Sequence, residues 1–300
     1  MAGTIDVRAD ASTQTDARRR SRWRVRLPQP FAGFQYLLLI AVILFSDLPL
    51  VWIFLNSLKP DGEIVTYPPS ILPKAASLGD YSQLFAYAPY GIYMLNSGII
   101  ATVTTILVVA MGTVAAYSFV RFEFGFLRGL SEASLFAYMI PSILLLVPIA
   151  RMMFAANLQN HREALILIYT ARLLPFGLWT LRSYFQGVAI DLEQAAMVDG
   201  CTRFGSFWRV VLPQAVPGMI ATGVFTFNSA WSEYLFGSTL NTVPGALTVS
   251  PGLALLNTQS GIIHWGLLMA GAVMTTVPVL VLFIIGQSQL VETWGEGAVK

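Results

Sequence analysis

Six long apolar runs constrain the fold of this 300-residue chain more than any other feature. Each is long enough to cross a hydrocarbon core of about 30 Å at about 1.5 Å per helical residue. Charged residues make up only 11% of the chain, against about 25% in soluble domains. The sequence therefore predicts an all-α, polytopic membrane protein with six transmembrane helices. The six runs cover about residues 34–57, 92–118, 131–150, 164–181, 216–240 and 262–287.

Basic residues indicate the orientation of these helices. Thirteen of the 18 Lys and Arg residues lie in the N-terminal segment or in segments on its side of the membrane, six of them between Arg18 and Arg26. The positive-inside rule then places both termini in the cytosol of a multi-pass plasma membrane protein. Residues 1–30 are polar and are predicted to form a disordered cytosolic tail, and residues 31–300 the transmembrane domain.

Several kinds of chemistry have no support in the sequence. The single cysteine, Cys201, excludes an intramolecular disulfide, and the two histidines are far apart, so no metal site is expected. None of the three lysines stands in a phosphate-binding loop, and no serine-hydrolase or zinc-protease motif is present. We expect no catalytic residues, no cofactor held by this chain and, at a net charge of +2, no nucleic-acid partner.

Residues 189–214 form a polar cytosolic segment between the fourth and fifth runs. Asp191 and Gln194 have the spacing of a capping box, which predicts a short helix over about 192–199. Gly200 would end this helix in the left-handed conformation. Ala196 and Gly200 are four residues apart, so a neighbouring helix could approach closely there.

A second short helix is predicted over about 203–211, with Pro213 as its stop. Its apolar residues share one stripe at helical spacing, with Arg203, Ser206 and Arg209 opposite. An interfacial helix would explain the stripe, although such helices usually carry more basic residues. A DNA-reading helix-turn-helix is improbable in a neutral loop tethered to a membrane. A pair of helices docking into a groove of a cytosolic partner explains both faces. The stripe consists of Phe204, Phe207, Trp208 and Val211.

The stretch EQAAMVDGCTRFGSFWRVVLP resembles the EAA motif of ATP-binding-cassette (ABC) importer permeases. That motif is Glu-Ala-Ala, three residues, Gly, nine residues, an aliphatic residue, any residue, Leu and Pro, and this chain keeps the spacing. Segments from NSLKPDGEI to WSEYLF are similar to sugar permeases, and the ending GEGAVK resembles the maltose-type G permease. The chain departs from the family at the motif glutamate, which is Gln194 here, although Glu193 precedes it. Other departures are Ala189, Cys201, Ser232 and Asp47.

The resemblance implies a type I ABC importer permease fold and half of a translocation path for a di- or oligosaccharide. It implies three kinds of partner: a second permease subunit, a dimer of ATPase subunits that binds ATP and Mg, and an extracytoplasmic substrate-binding protein. The tail Gly295–Lys300 would reach between the ATPase subunits. Residues 189–214 would couple to the ATPase through Glu193, Gln194, Ala195, Ala196, Asp199, Gly200, Phe204, Phe207, Trp208, Leu212 and Pro213.

Polar residues within the spans are candidates for the substrate path, because intramembrane polar groups are costly and usually face a cavity. They are Asn228, Trp231, Glu233, Tyr234 and Asn96, with Arg172 as a weaker candidate. The alternative is that they hold helices together by hydrogen bonds. The uncharged outer loop at about 241–261 is equally compatible with a re-entrant or surface-lying turn and with a pore mouth.

Two alternative functions remain at the level of sequence. The cargo could be a polyol or a glycerophosphate, since similar permeases handle both. An ion-driven secondary transporter would need intramembrane carboxylates, for which Asp47 and Glu233 are the candidates. That alternative leaves the cytosolic segment 189–214 unexplained.

Overall fold

The computed structural model describes residues 29–122, 125–256 and 264–297, and the chain divides into two units, 1–51 and 52–300. The first unit contains most of helix α1, Gln29–Asn56. Its 28 residues extend about 42 Å, which exceeds the hydrocarbon thickness. This helix begins just inside the predicted disordered tail, whose first 28 residues lie outside the described ranges.

Four long helices dominate the second unit. They are α4 (Tyr90–Arg121), α7 (Arg162–Gly187), α10 (Leu212–Trp231) and α13 (Trp265–Gly297). Three of them contain an internal proline: Pro175 in α7, Pro217 in α10 and Pro278 in α13. A Cβ atom at Gly177 of α7 would lie 2.7 Å from Val108 Cγ1 of α4 and 3.3 Å from Thr222 Cγ2 of α10. Glycine therefore allows three helices to meet at this point.

The third apolar run is not the single helix that the sequence predicts. It forms α5, Gly125–Met139, and α6, Ser142–Ala155, which are bent by 96° relative to each other. Pro141 is the N-cap of α6, and proline disfavours helical backbone at the residue before it. Five described helices are long and apolar enough to cross a membrane, or six if the bent pair counts as one span.

The fifth span begins earlier than predicted, within the cytosolic segment. Helix α8, Ile190–Val198, comes first, and helical structure then runs from α9, Arg203–Ser206, through a π-helical turn, Phe207–Val211, into α10. Pro213 does not stop the helix as predicted. It lies in the first turn of α10, just after the π-helical turn, and the helical run continues through it.

At the extracellular end, short helices fold over the spans. They are α2 (Asp61–Ile64), α3 (Gly79–Tyr87), α11 (Leu235–Leu240) and α12 (Val249–Leu256). Helix α12 belongs to the outer loop whose position the sequence left open, and it lies against α4. The Val249 amide donates to Ser97 Oγ at 2.8 Å, and Gly252 packs closely on the Tyr93 ring. Residues 257–261 of that loop lie outside the described ranges.

The second unit has two clusters of buried apolar side chains. The larger one joins the outer halves of the spans to α11 and α12. The smaller one, which we call the inner cluster, joins the cytosolic ends of α4, α7 and α10 to the π-helical turn. Segment 189–214 is therefore packed onto the bundle at its cytosolic end. The inner cluster consists of Ala116, Tyr117, Leu181, Phe185, Val188, Phe207, Val211 and Ala215.

Candidate functional site

The first helix of segment 189–214 starts differently from the sequence prediction. Its N-cap is Ala189, which makes no side-chain capping bond. The predicted capping box of Asp191 and Gln194 is therefore wrong, because Asp191 already lies inside the first turn. The carboxylates of Asp191 and Glu193 both lie in this turn, where the helix dipole favours negative charge.

Gly200 ends this helix as predicted. Its φ of +91° lies in the region that glycine adopts without a Cβ clash. The Gly200 amide donates to Met197 O at 3.1 Å, and the Cys201 amide donates to Ala196 O at 3.0 Å. These two bonds form a Schellman motif. The predicted close approach of another helix is absent within the described residues, because nothing lies within 4 Å of a Cβ built at Gly200.

Thr202 is the N-cap of the second helix, a role that was not predicted from the sequence. Its side chain accepts a hydrogen bond from the Gly205 amide at 3.1 Å, which satisfies one of the free N–H groups of α9. A threonine directly before the predicted helix start was the available signal. The turn between α8 and α9 is thus fixed at Gly200 and at Thr202.

The predicted apolar stripe divides into two columns. Phe207 and Val211 are buried, and the Phe207 ring centroid lies 4.6 Å from that of Tyr117. Phe204 and Trp208 point outward, with exposed fractions of 71% and 54%. Each column has the i, i+4 spacing of one helix face, so one column packs on the inner cluster and the other remains accessible.

Glu193 lies inside the protein, with 4% of its surface exposed. Its Oε1 accepts a hydrogen bond from Tyr117 Oη at 2.5 Å, and its Oε2 accepts one from Arg121 Nε at 2.8 Å. Arg121 also donates to Val188 O at 2.9 Å, and Ser206 Oγ donates to the Glu193 carbonyl at 3.3 Å. Glu193 therefore holds α8 against α4 and does not present its carboxylate at the surface.

The other residues predicted for coupling lie mostly at the surface. Ala196 and Leu212 are half-buried. The exposed ones are Gln194, Ala195, Asp199, Gly200 and Pro213, in addition to Phe204 and Trp208. Three further exposed apolar side chains of the segment were not predicted from the sequence: Ile190 at 52%, Leu192 at 47% and Val198 at 87%. Five large apolar side chains of segment 189–214 are thus exposed.

The polar residues predicted for the substrate path have different surroundings. Trp231 is buried, donates to Thr275 O of α13 at 3.1 Å and stacks on Phe227. Asn96 is fully buried and donates to the carbonyls of Gly245 and Leu247. These side chains bind one helix or loop to another, as the alternative interpretation has it.

Glu233 joins α7 to the start of α11. Its Oε2 accepts hydrogen bonds from Tyr169 Oη at 2.5 Å and from the Gly237 amide at 3.1 Å, and its Oε1 accepts one from the Phe236 amide at 3.1 Å. Asn228 and Tyr234, in contrast, are exposed on the same stretch of chain. Two of the five predicted path residues are thus exposed, whereas Trp231, Glu233 and Asn96 bond to other parts of this chain.

Metal binding has no support in the geometry of the described ranges. No three His, Cys, Asp or Glu side chains within them come close enough together to hold an ion. The arrangement at the cytosolic end is that of an anchored contact surface: a buried ion pair and an aromatic cluster hold one side of segment 189–214, and aromatic side chains are accessible on the other.

Comparison with known proteins agrees with this architecture. Residues 108–289 match the family model described as "Binding-protein-dependent transport system inner membrane component". The sulfoquinovosyl glycerol transport system permease protein SmoH of Agrobacterium fabrum is 33% identical over 87% of this chain and 91% of its own. The trehalose transport system permease protein SugB of Mycobacterium tuberculosis is 32% identical over 86% and 94%. The diacetylchitobiose uptake permease protein NgcG of Streptomyces coelicolor is 33% identical over 90% and 89%.

The fold is similar to that of a solved transporter chain. A bacterial ABC transporter involved in import of the acidic polysaccharide alginate superposes with a TM-score of 0.74 at 17% identity, over 87% of this chain and 96% of that chain. The predicted all-α permease fold and the multi-pass location in the plasma membrane are confirmed. The chain belongs to the family of inner-membrane components of binding-protein-dependent transport systems.

Proposed function

We propose that this chain is the sugar-importing permease subunit of an ABC transporter and forms half of the translocation path. The family description implies delivery of the cargo by a substrate-binding protein. The relatives' names refer to a glycoside and to two disaccharides, which favours a di- or oligosaccharide cargo over a polyol or a glycerophosphate.

In this proposal the chain hydrolyses nothing itself. A separate ATPase dimer binds ATP and Mg, because this sequence has no phosphate-binding loop. A second permease subunit completes the pore. The exposed side chains of Asn228 and Tyr234 are available to line this pore. Trp231, Glu233 and Asn96 hold the surrounding helices together.

The observation that carries the proposal is the pair of exposed aromatic rings on segment 189–214. Phe204 and Trp208 contact each other at 6.1 Å between ring centroids, edge to face. Exposed aromatic side chains surrounded by polar residues are typical of protein-binding surfaces, and Trp is enriched among residues that dominate binding energy. We assign these two rings to the groove of the ATPase.

The anchored side of the segment would transmit force. A pull on Phe204 or Trp208 passes directly into the helical run that ends in α10, since α9, the π-helical turn and α10 are continuous. The same pull reaches α4 through Glu193 and its bonds to Tyr117 and Arg121. Motion of the ATPase would therefore move two spans together, as alternating access requires.

The ion-driven alternative has little support from the geometry. Glu233 is one of the two candidate carboxylates for the coupling ion, yet its two oxygens accept three hydrogen bonds from Tyr169, Phe236 and Gly237. Such bonds use the positions that a cation would need.

The test compares Phe204→Ala and Trp208→Ala with Phe136→Ala, which removes an aromatic ring that is 73% exposed on α5. The tagged permease is purified from membranes, and the ATPase retained with it and the ATP-driven uptake of labelled disaccharides are measured. Loss of a central interface Trp typically costs about 2 kcal/mol or more, so Trp208→Ala should retain much less ATPase. Phe136→Ala should behave like the wild type. Normal ATPase retention and uptake in both segment variants would refute the assignment.

A further inference from the structure

A cavity of about 280 Å³ lies inside the bend between α5 and α6. Its walls come from both of these helices, from one face of α7 and from Phe236 of α11. Most of the lining is apolar, and three side chains bring polar groups: Tyr138, Ser142 and Arg172. No acidic residue lines the cavity. Its size is just below the usual range of about 300 to 1,000 Å³ for ligand pockets, so it suits one end of a larger cargo.

Arg172 lies deep in the membrane. It is the eleventh residue of α7, about 15 Å along the axis from the extracellular start of that helix. This depth is near the middle of a hydrocarbon core about 30 Å thick. An arginine at such depth is costly and usually marks a substrate or ion pathway.

The guanidinium of Arg172 has its hydrogen-bonding capacity free. Within the described ranges it makes no hydrogen bond or ion pair of its own, and its electrostatic contact is with the Tyr169 phenol. Tyr169 donates to the Glu233 carboxylate, whose oxygens also accept bonds from the Phe236 and Gly237 amides. Among the residues that the structure describes, no acidic side chain therefore accepts a hydrogen bond from the five N–H donors of this planar group.

We propose that this cavity binds the anionic end of an acidic saccharide, with Arg172 holding a carboxylate, sulfonate or sulfate group by paired hydrogen bonds. The proposal rests on the proposed function and specifies its substrate class. Arginine in a low-dielectric site pairs bidentately with planar or tetrahedral oxyanions, and a neutral sugar would leave this partly buried charge unpaired. The Tyr138 and Phe236 rings offer apolar surface to the C–H face of a sugar ring.

The test uses the complete transporter, reconstituted without its binding protein in phosphatidylcholine nanodiscs. Equilibrium binding of labelled glucuronate, glucose 6-sulfate and glucose is measured. We expect the two anionic sugars to bind roughly tenfold or more tightly than glucose, the ratio that one charge-assisted hydrogen bond provides. Arg172→Gln should abolish the preference, and Arg172→Lys should retain part of it. Arg151→Gln, a change at an exposed arginine of α6 that does not line the cavity, should retain all of it.

Three results would overturn the inference. The first is equal affinity of wild type for glucose and the anionic sugars, a comparison that needs no variant. The second is a preference that survives in Arg172→Gln. The third is displacement of glucuronate by phosphatidylglycerol in the nanodiscs, which would assign Arg172 to a lipid headgroup. Normal import of neutral disaccharides alongside any of these would leave the proposed function standing, whereas a transporter that imports no saccharide would refute both.

Discussion

Arg121 Nε lies 2.8 Å from Glu193 Oε2, and less than a tenth of either side chain is exposed. This bond joins the cytosolic end of α4 to α8 across 72 residues of chain. Tyr117, one helical turn before Arg121, holds the other carboxylate oxygen. The position of segment 189–214 on the bundle therefore depends on one buried carboxylate.

Replacing Glu193 with Ala should destabilise the protein strongly. Arg121 would be left buried without its counter-charge, which typically costs about 3 to 5 kcal/mol. The double variant Arg121→Met with Glu193→Met should lose less stability than the sum of the single changes, because no charge is stranded. Thermal unfolding of the purified protein in detergent measures both. Asp191→Ala, an exposed change in the same helical turn, serves as control; a cost equal to that of Glu193→Ala would contradict the anchoring role.

Gly200→Ala should impair transport because it strains the backbone at this position, without any steric clash of the added methyl group. Space is available, since nothing lies within 4 Å of the added Cβ, but the φ of +91° is strained for alanine by about 1 to 2 kcal/mol. We expect the turn between α8 and α9 to shift and ATP-driven uptake to fall. Gly187→Ala also adds a methyl group to open space but at ordinary φ, and uptake should be unaffected. Equal uptake by the two variants would show that the turn geometry is unimportant.

Gly177→Ala should destabilise the junction of α4, α7 and α10. The added methyl group would lie 2.7 Å from Val108 Cγ1, and overpacking of this kind costs about 1 to 3 kcal/mol. Val108→Ala removes the clashing group, so the double variant should recover part of the loss in unfolding temperature. Gly98→Ala, at a helical glycine of α4 with no neighbour within 4 Å, should be neutral or slightly stabilising. If Val108→Ala does not restore the unfolding temperature of Gly177→Ala, the clash with Val108 is not the cause of the destabilisation.

Protonation of Asp80 should raise the free energy of unfolding in mild acid. Burial and the nearby charge of Asp61 raise the pKa of Asp80, and His264 partly opposes the shift. The folded state then binds the Asp80 proton more tightly than the unfolded chain, so stability rises as the pH falls through the raised pKa. Asp80→Asn should therefore stabilise the protein at neutral pH, with a benefit that shrinks on acidification. Unfolding temperature against pH measures this, with Ser82→Ala of the same helix as control; a benefit constant with pH would exclude the titration of Asp80 as its source.

The features that the sequence predicts well are those with local causes. Apolar run length defined the spans, and Gly200 after a polar helix predicted the left-handed turn, because both depend on neighbouring residues. Pro141 itself indicated a break between α5 and α6, but the 96° angle between them depends on how the two helices pack. No sequence pattern indicated the π-helical turn, and Pro213 was therefore interpreted as the end of a helix.

Contacts between distant residues were beyond sequence reasoning. The burial of Glu193 depends on Tyr117 and Arg121, more than 70 residues away in the chain. Trp231 was a candidate for the substrate path, and its bond to Thr275 of α13 could not be predicted from the sequence. Polar residues of a span can therefore be assigned to the substrate path or to helix packing only when their hydrogen-bond partners are known.

The π-helical turn Phe207–Val211 has a consequence for how the chain tolerates changes in length. Its i→i+5 bonding pattern encloses one residue more than an α-helical turn. Removing a single residue there could restore ordinary α-helix while keeping the rotational phase of α10, whereas the same deletion inside α10 would turn every later side chain by about 100°. Insertions and deletions of one residue at the base of this span should therefore be absorbed at the joint, upstream of the membrane.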